Sequence, residues 1–236
     1  MAITPASLDA LLEAEKESDA FICPISQLRF FPDVIRVKGW LEAGIMGRMT
    51  MVDLSMKYWR SEDYYINNPW RGTWEHDGGG ALMNQGIHGL DLLRWLCSTP
   101  DCISASADTL VHDIETEDTL SASLRFSSGA LGVMSVSTAA FPGFPRRLEI
   151  CCEKGSLTLE EGHLVACTLP DAETSSNTRS GHSDPAAIDF LPHQLQYENI
   201  VGAIEQKAPL AVTSEDAAQT LRLIFDIYSR AGIRKG

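Results

Sequence analysis

Asn84, His88 and Asp91 follow one another at spacings of four and then three residues in the run from Gly78 to Leu96. On a helix such spacing lines all three along one face. It leaves Leu82, Leu90, Leu93 and Leu96 free to serve a core. An imidazole beside an amide and a carboxylate suits general acid–base work on a hydroxyl or carbonyl. Gly78, Gly79 and Gly80 stand just before this helix, where a missing Cβ would let a ligand approach the backbone closely. Trp70 and Arg71 flank the stretch. The plainer alternative is a structural, hydrogen-bonding histidine with polar neighbours and a flexible glycine turn. The gathering of all these residue types in one short segment is what favours chemistry. A metal site built from His76, Asp77, His88 and Asp91 is the weakest reading, because the first pair falls on a loop and no further ligand is evident.

Around this segment the sequence lays out helices and strands. Thr4 as N-cap, with Pro5 in the first helical position, starts a helix that carries apolar residues through Leu8 and Leu12 to Lys16. Ala20–Pro24 is a short apolar run that reads as a buried strand. A second helix runs from Pro32 to Ala43, with Gly44 just past its end. From Arg48 the texture changes to period-two alternation, predicting strands over Thr50–Trp59, Ile103–Val111, Thr119–Phe126, Ala130–Thr138, Arg147–Cys152 and Ser156–Leu159. Ser127-Ser128-Gly129 and Glu153-Lys154-Gly155 are hairpin turns, and tight turns join strands antiparallel. A helix is expected over Ala81–Leu96. Pro170–Asp189 is polar and reads as an exposed loop. Two helices close the chain, Pro192–Glu205 and one after Thr213-Ser214 that runs to Ala231. The fold class this implies is α+β: a large, open, mostly antiparallel sheet with helices packed on one face.

The bulk composition excludes several function classes. With 32 acidic and 19 basic side chains, the 236-residue chain carries a formal charge of −13, which argues against nucleic acid and anionic membrane as partners. No stretch approaches the roughly 20 apolar residues of a membrane span. The six cysteines form no CxxC pair, so reduced thiols, no metal and a cytoplasmic setting are expected.

The run "WRGTWEHDGGGALMNQGIHGLDLLRWL" resembles the C-terminal part of the Gfo/Idh/MocA dehydrogenases, whose shared pattern is matched by Gly79, Gly80, Asn84, His88 and Asp91. Having Asn at the first polar position is similar to a branch that includes oxidases of nucleotide-linked sugars. The segments "LEAGIMGRMTMVDLSMKYWR", "RRLEICCEKGSLTLEEGHL" and "HQLQYENIVGAIEQKAPLAVTSEDAAQTLRLIFDIYSRAG" extend the likeness to nearly the whole chain. The resemblance implies a glyceraldehyde-3-phosphate-dehydrogenase-like C-terminal domain over residues 31–236. It makes His88 the acid–base residue and places Asn84 beside it to orient substrate. Lys57, Tyr65, Arg71, Gln85 and Asp91 become candidates for contacts to a sugar-like molecule, and Gly79 and Gly80 for the cofactor side. Arg29 matches a recurrent family arginine without an assigned role.

The same family uses NAD or NADP, held by an N-terminal Rossmann domain whose GxGxxG motif cradles the pyrophosphate. That motif is absent from this sequence, and so is the family's Glu-Lys-Pro lysine; Lys154 belongs to a different element. The expectation is therefore that residues 1–30 are a remnant of the end of a Rossmann domain, packing against another chain or folding back. The chain would be the substrate-binding half of an NAD(P)-dependent dehydrogenase for a hydroxyl of a sugar, inositol or nucleotide-sugar. It would not bind the cofactor or turn over alone, and it would form a homo-oligomer through its sheet. A non-enzymatic domain that binds a sugar or assembles with a partner is the alternative.

Overall fold

The computed structural model describes residues 1–170, 172–175 and 190–233. Helix α1 (Pro5–Lys16) begins as the sequence predicts: the Thr4 side chain accepts from Ser7 N, and Ser7 returns the bond to Thr4 N. Its apolar stripe, Leu8 and Leu12, is buried. After α2 (Pro32–Glu42) come β1 (Met49–Lys57), the short α3 (Glu62–Ile66), a π-helical turn over Ala81–Gly86, and α4 (Ile87–Cys97). The remaining elements are β2 (Asp101–Asp108), β3 (Thr119–Arg125), β4 (Leu131–Ser137), β5 (Arg147–Cys152), β6 (Gly155–Glu160), β7 (His163–Cys167), α5 (Leu191–Ile204) and α6 (Ser214–Ala231).

The strands form one seven-stranded sheet in the order β2-β3-β4-β1-β5-β6-β7. It is antiparallel at every junction except one, where β1 runs parallel to β4. The reason is connectivity: α3, the π-turn and α4 carry the chain from β1 to the far edge of the sheet. The β2-β3-β4 meander then returns it beside β1, and only the hairpin-joined strands need to be antiparallel.

Alternation along the strands divides the sheet into two faces. Val52, Leu54 and Met56 of β1, Leu120 and Leu124 of β3, Met134 and Val136 of β4, and Leu148 and Ile150 of β5 are all buried, and they join the residues of α4 and α6 in one core. The opposite face carries a groove of about 510 Å³ lined by Asp53, Ser55, Lys57, Ser121, Arg147 and Glu149 among others. Met51, Leu131 and Val133 of the same face are exposed.

Three expectations are corrected. Ala20–Pro24 is not a strand, and Phe21 is exposed; side chains tie the segment down instead, with Gln196 accepting from Ser26 N at 3.0 Å and donating to Pro24 O at 2.9 Å. Strand β7 is an addition at the sheet edge, too short to announce itself by alternation. The helix expected from Ala81 starts as a π-turn. Most of the Pro170–Asp189 loop lies outside the described residues. Among the described residues no helix is long and apolar enough to cross a membrane.

Candidate active site

The π-turn is held from outside its own backbone. The first N–H groups of a helix have no partners within it, and here Glu117 and Tyr228 supply them. The Glu117 carboxylate accepts from Gly80 N and Leu82 N, both at 2.9 Å, and from the Tyr228 hydroxyl at 2.8 Å. Tyr228 Oη in turn accepts from Met83 N at 3.1 Å, and Ala81 N donates to Glu117 O at 2.8 Å. Burial pushes the Glu117 carboxyl up in pKa, and these donors oppose the rise. A Cβ at Gly79 would overlap Tyr228 Oη, and one at Gly80 would overlap Glu117 O. The glycines are thus required by packing within the chain. At the positions expected to face a cofactor, the space beside Gly79 is filled by Tyr228 and that beside Gly80 by Glu117, which also accepts from Gly80 N.

This turn presents Asn84 and Gln85. Asn84 Nδ2 donates to Asp77 Oδ1 at 2.7 Å, and the other Asp77 oxygen accepts from Gly72 N at 3.0 Å. The amide orientation of Asn84 is thereby set: its oxygen faces Gln85 Nε2 at 2.6 Å and the Tyr64 hydroxyl at 3.4 Å. Gln85 also donates to Tyr64 Oη at 3.0 Å and accepts from Arg60 Nη2 at 2.7 Å. Arg71 stacks on the Tyr64 ring with its guanidinium carbon 3.9 Å from the centroid. Asn84, Gln85 and Arg71 are therefore brought together around Tyr64.

His88 lies next along the helix, half-buried. No hydrogen bond engages its imidazole among the described residues. Its pKa is lowered to about 4, first by burial and then by the positive charge of Arg146, against a weaker opposing pull from Asp91. Arg146 runs beside this turn, so that a Cβ on Gly89 would sit 3.0 Å from Arg146 Cδ, and it pairs with Glu161 at 2.8 Å. A neutral imidazole with no protein partner leaves a ring nitrogen available to accept from a substrate hydroxyl.

The other expected residues are placed differently. Tyr65 donates to Thr138 Oγ1 at 3.0 Å, and its ring packs 4.9 Å from that of His112; burial pushes its hydroxyl up to about 12. His112 is itself anchored between Asp118 Oδ2 at 3.2 Å and Arg60 O at 2.9 Å. Lys57 lies on the open face of the sheet, because Met56 before it faces α4 and side chains alternate along a strand. It is separated from His88 by the sheet itself. Asp91 is buried, accepting from Arg29 Nε at 2.8 Å and from Thr220 Oγ1 at 2.9 Å, and Arg29 also pairs with Asp216. This gives Arg29 a role, as the clamp between the segment before α2, α4 and α6, and it occupies Asp91 within the fold.

Sequence reasoning missed Arg60, Tyr64, Glu117, Arg146 and Tyr228, and it named Asp77 only as a metal ligand. The adjacency of Tyr64 to Tyr65 was a visible signal. Glu117, Arg146 and Tyr228 come from distant elements and offered none. The metal reading receives no support, since no group of three or more His, Cys, Asp or Glu side chains among the described residues could hold an ion.

Comparison with known proteins places this geometry. The chain is 25% identical over 207 residues to an inositol 2-dehydrogenase of Rhizobium meliloti, covering 83% of this chain and 58% of that protein. It is 24% identical over 230 residues to a myo-inositol 2-dehydrogenase of Thermotoga maritima, covering 94% of this chain and 66% of the relative. The chain thus spans less than two thirds of the length of both. The crystal structure of the WlbA dehydrogenase from Bordetella pertussis, in complex with NADH and UDP-GlcNAcA, superposes with a TM-score of 0.83 at 28% identity, over 98% of this chain and 67% of that one. The family description "GFO/IDH/MocA C-terminal domain" matches residues 34–158, more than half of the 236, and the chain belongs to the GFO/IDH/MocA family.

Proposed function

We propose that this chain forms the substrate side of an NAD(P)-dependent dehydrogenase acting on a hydroxyl of a sugar, inositol or nucleotide-sugar. The observation that carries the reading is His88: a half-buried, neutral imidazole without a hydrogen-bond partner among the described residues, beside an amide whose orientation is fixed by Asp77. In this arrangement His88 takes the proton of the substrate hydroxyl at a ring nitrogen, and Asn84 holds a neighbouring oxygen in place. Relatives and structural neighbours that handle inositols and a nucleotide-linked sugar acid point to the same class of substrate.

Two observations support a carrier held outside these residues. The glycine-rich turn is closed by Glu117 and Tyr228, and the sequence has no GxGxxG. The nicotinamide carrier therefore belongs to a dinucleotide-binding domain, covalently joined or separate. The assay is NADH or NADPH formation from myo-inositol and from UDP-linked sugars. No turnover is expected from residues 1–236 alone, turnover once a dinucleotide-binding domain of the family is supplied, and a loss of at least about 100-fold on His88→Ala. Equal rates with and without His88 would remove the assignment. Binding of a sugar with no turnover under any of these conditions would favour the non-enzymatic alternative.

The same reading gives the open face of the sheet, with Met51, Leu131 and Val133 exposed on it, to a second copy of the chain. Light scattering should then return twice the 25.9 kDa chain mass, and Val133→Glu should return it to one.

A further inference from the structure

The segment between α3 and the π-turn holds a cation with no anion beside it. Arg71 donates through Nη1 to Tyr64 O at 3.2 Å. Its guanidinium carbon lies 3.9 Å from the Tyr64 ring centroid and 5.2 Å from that of Trp70. Its Nε is buried without a hydrogen-bond partner. Among the described residues no carboxylate pairs with Arg71, whereas Arg29, Arg94, Arg146 and Arg147 each have one. In a chain with 32 acidic side chains against 19 basic, Arg71 is held against two aromatic rings without a carboxylate partner among the described residues. Ordering a long side chain costs rotamer entropy, and a surface role would not require it.

The position of Tyr64 connects this cation to the site. Its hydroxyl accepts from Gln85 Nε2 at 3.0 Å and lies 3.4 Å from Asn84 Oδ1. The uncommitted edge of the Arg71 guanidinium is therefore one tyrosine ring away from Asn84. A planar guanidinium offers parallel donors that match the paired oxygens of a carboxylate or phosphate. Stacking on an aromatic face leaves that edge free to meet them.

We propose that the substrate carries a carboxylate or phosphate group, which Arg71 receives while Asn84 and His88 face a hydroxyl of the same molecule. This rests on the sugar-dehydrogenase reading above and narrows its substrate class to anionic sugars.

The test titrates the chain with glucuronate, glucose 6-phosphate and myo-inositol, followed by calorimetry and by the Arg71 Nε–Hε resonance. An anionic probe is expected to bind at least about tenfold more tightly than myo-inositol, as one charge-assisted contact allows. The tighter of the two anionic probes identifies the group as carboxylate or phosphate. Arg71→Gln should bring that probe down to the affinity of myo-inositol. Arg71→Lys should keep part of the preference, since it retains the charge and loses the fork. The Nε–Hε signal should move with the anionic probes and stay still with myo-inositol. If Arg71→Gln does not fold, the wild-type resonance and Arg71→Lys decide the matter. Equal binding of all three probes, or a preference that survives Arg71→Gln, overturns the proposal and leaves the sugar reading standing. Failure of all three to bind overturns both.

Discussion

At the scale of single residues, the site depends on which protonation state the fold imposes on His88. Burial and the nearby Arg146 charge both disfavour the imidazolium, and its pKa falls to about 4. A lowered value in the folded state means that the unfolded chain holds this proton through the window from about 6.5 down to about 4. The group therefore contributes stability that is complete above the upper value and is lost as pH falls through the lower one. An NMR titration of the His88 ring is expected to show a midpoint near 4, and Arg146→Met should move it upward. A midpoint at the ordinary histidine value, unmoved by Arg146→Met, would show that burial and Arg146 do not set the charge of this ring. His88 and Asn84 were legible in the sequence because their spacing is local. Arg146 was not, since it reaches α4 only through the pairing of β5 beside β1, a contact that no spacing rule reveals.

At the scale of elements, the π-turn decides how Asn84 stands relative to His88. Such turns leave the backbone wider than an α-helix and occur often at functional sites. Periodicity in the sequence cannot distinguish the two, which is why Ala81–Leu96 read as one α-helix. What stabilises the turn here is Glu117, a carboxylate buried to 2% exposure that accepts two backbone N–H groups and one hydroxyl. Glu117→Gln keeps the shape, but it removes the charge and turns an amide NH₂ toward groups that are themselves donors. The expected cost is about 1–3 kcal/mol in urea unfolding. The loss should be accompanied by shifted amide resonances over Gly80–Asn84. A variant as stable as the parent, with those resonances in place, would show that the turn holds without Glu117. The strands were easier to read, since β1 through β6 show alternation and turn residues in their own sequence. The parallel pairing of β1 with β4 came from a long excursion, and its partner choice lay outside any local pattern.

At the scale of the whole molecule, the N-terminal segment is locked to the last helix by a charge cluster in which Arg29, Asp91 and Arg94 are buried and Asp216 is partly exposed. Arg29 donates to Asp91 on α4 and to Asp216 on α6, while Arg94 reaches Asp216 at 2.8 Å and Thr220 Oγ1 at 3.0 Å. Leu8 and Leu12 of α1 are buried in the same core as Leu221 and Ile224 of α6. Leu8, Leu12 and Leu28 thus belong to this core, which is the folding-back arrangement of the two expected for residues 1–30. A buried ion pair gains little over a well-packed apolar pair, yet breaking one partner strands the other. Burial works to raise the Asp91 carboxyl, but Arg29 and Thr220 outweigh it and hold it below the usual carboxylate range. Its contribution is therefore present above the ordinary aspartate value and is lost as pH falls through the depressed one. Arg29→Met should cost about 3–5 kcal/mol at neutral pH by leaving Asp91 charged, buried and short of its main partner. In the double variant Arg29→Met/Asp91→Leu no charge is stranded at that pair, and most of the loss should return. Urea denaturation of the parent, the single variant and the double variant separates the possibilities. Recovery in the double variant identifies the penalty as that of an unpaired charge. A double variant no more stable than the single one would mean that the arginine acts instead through its shape and its contacts to α6.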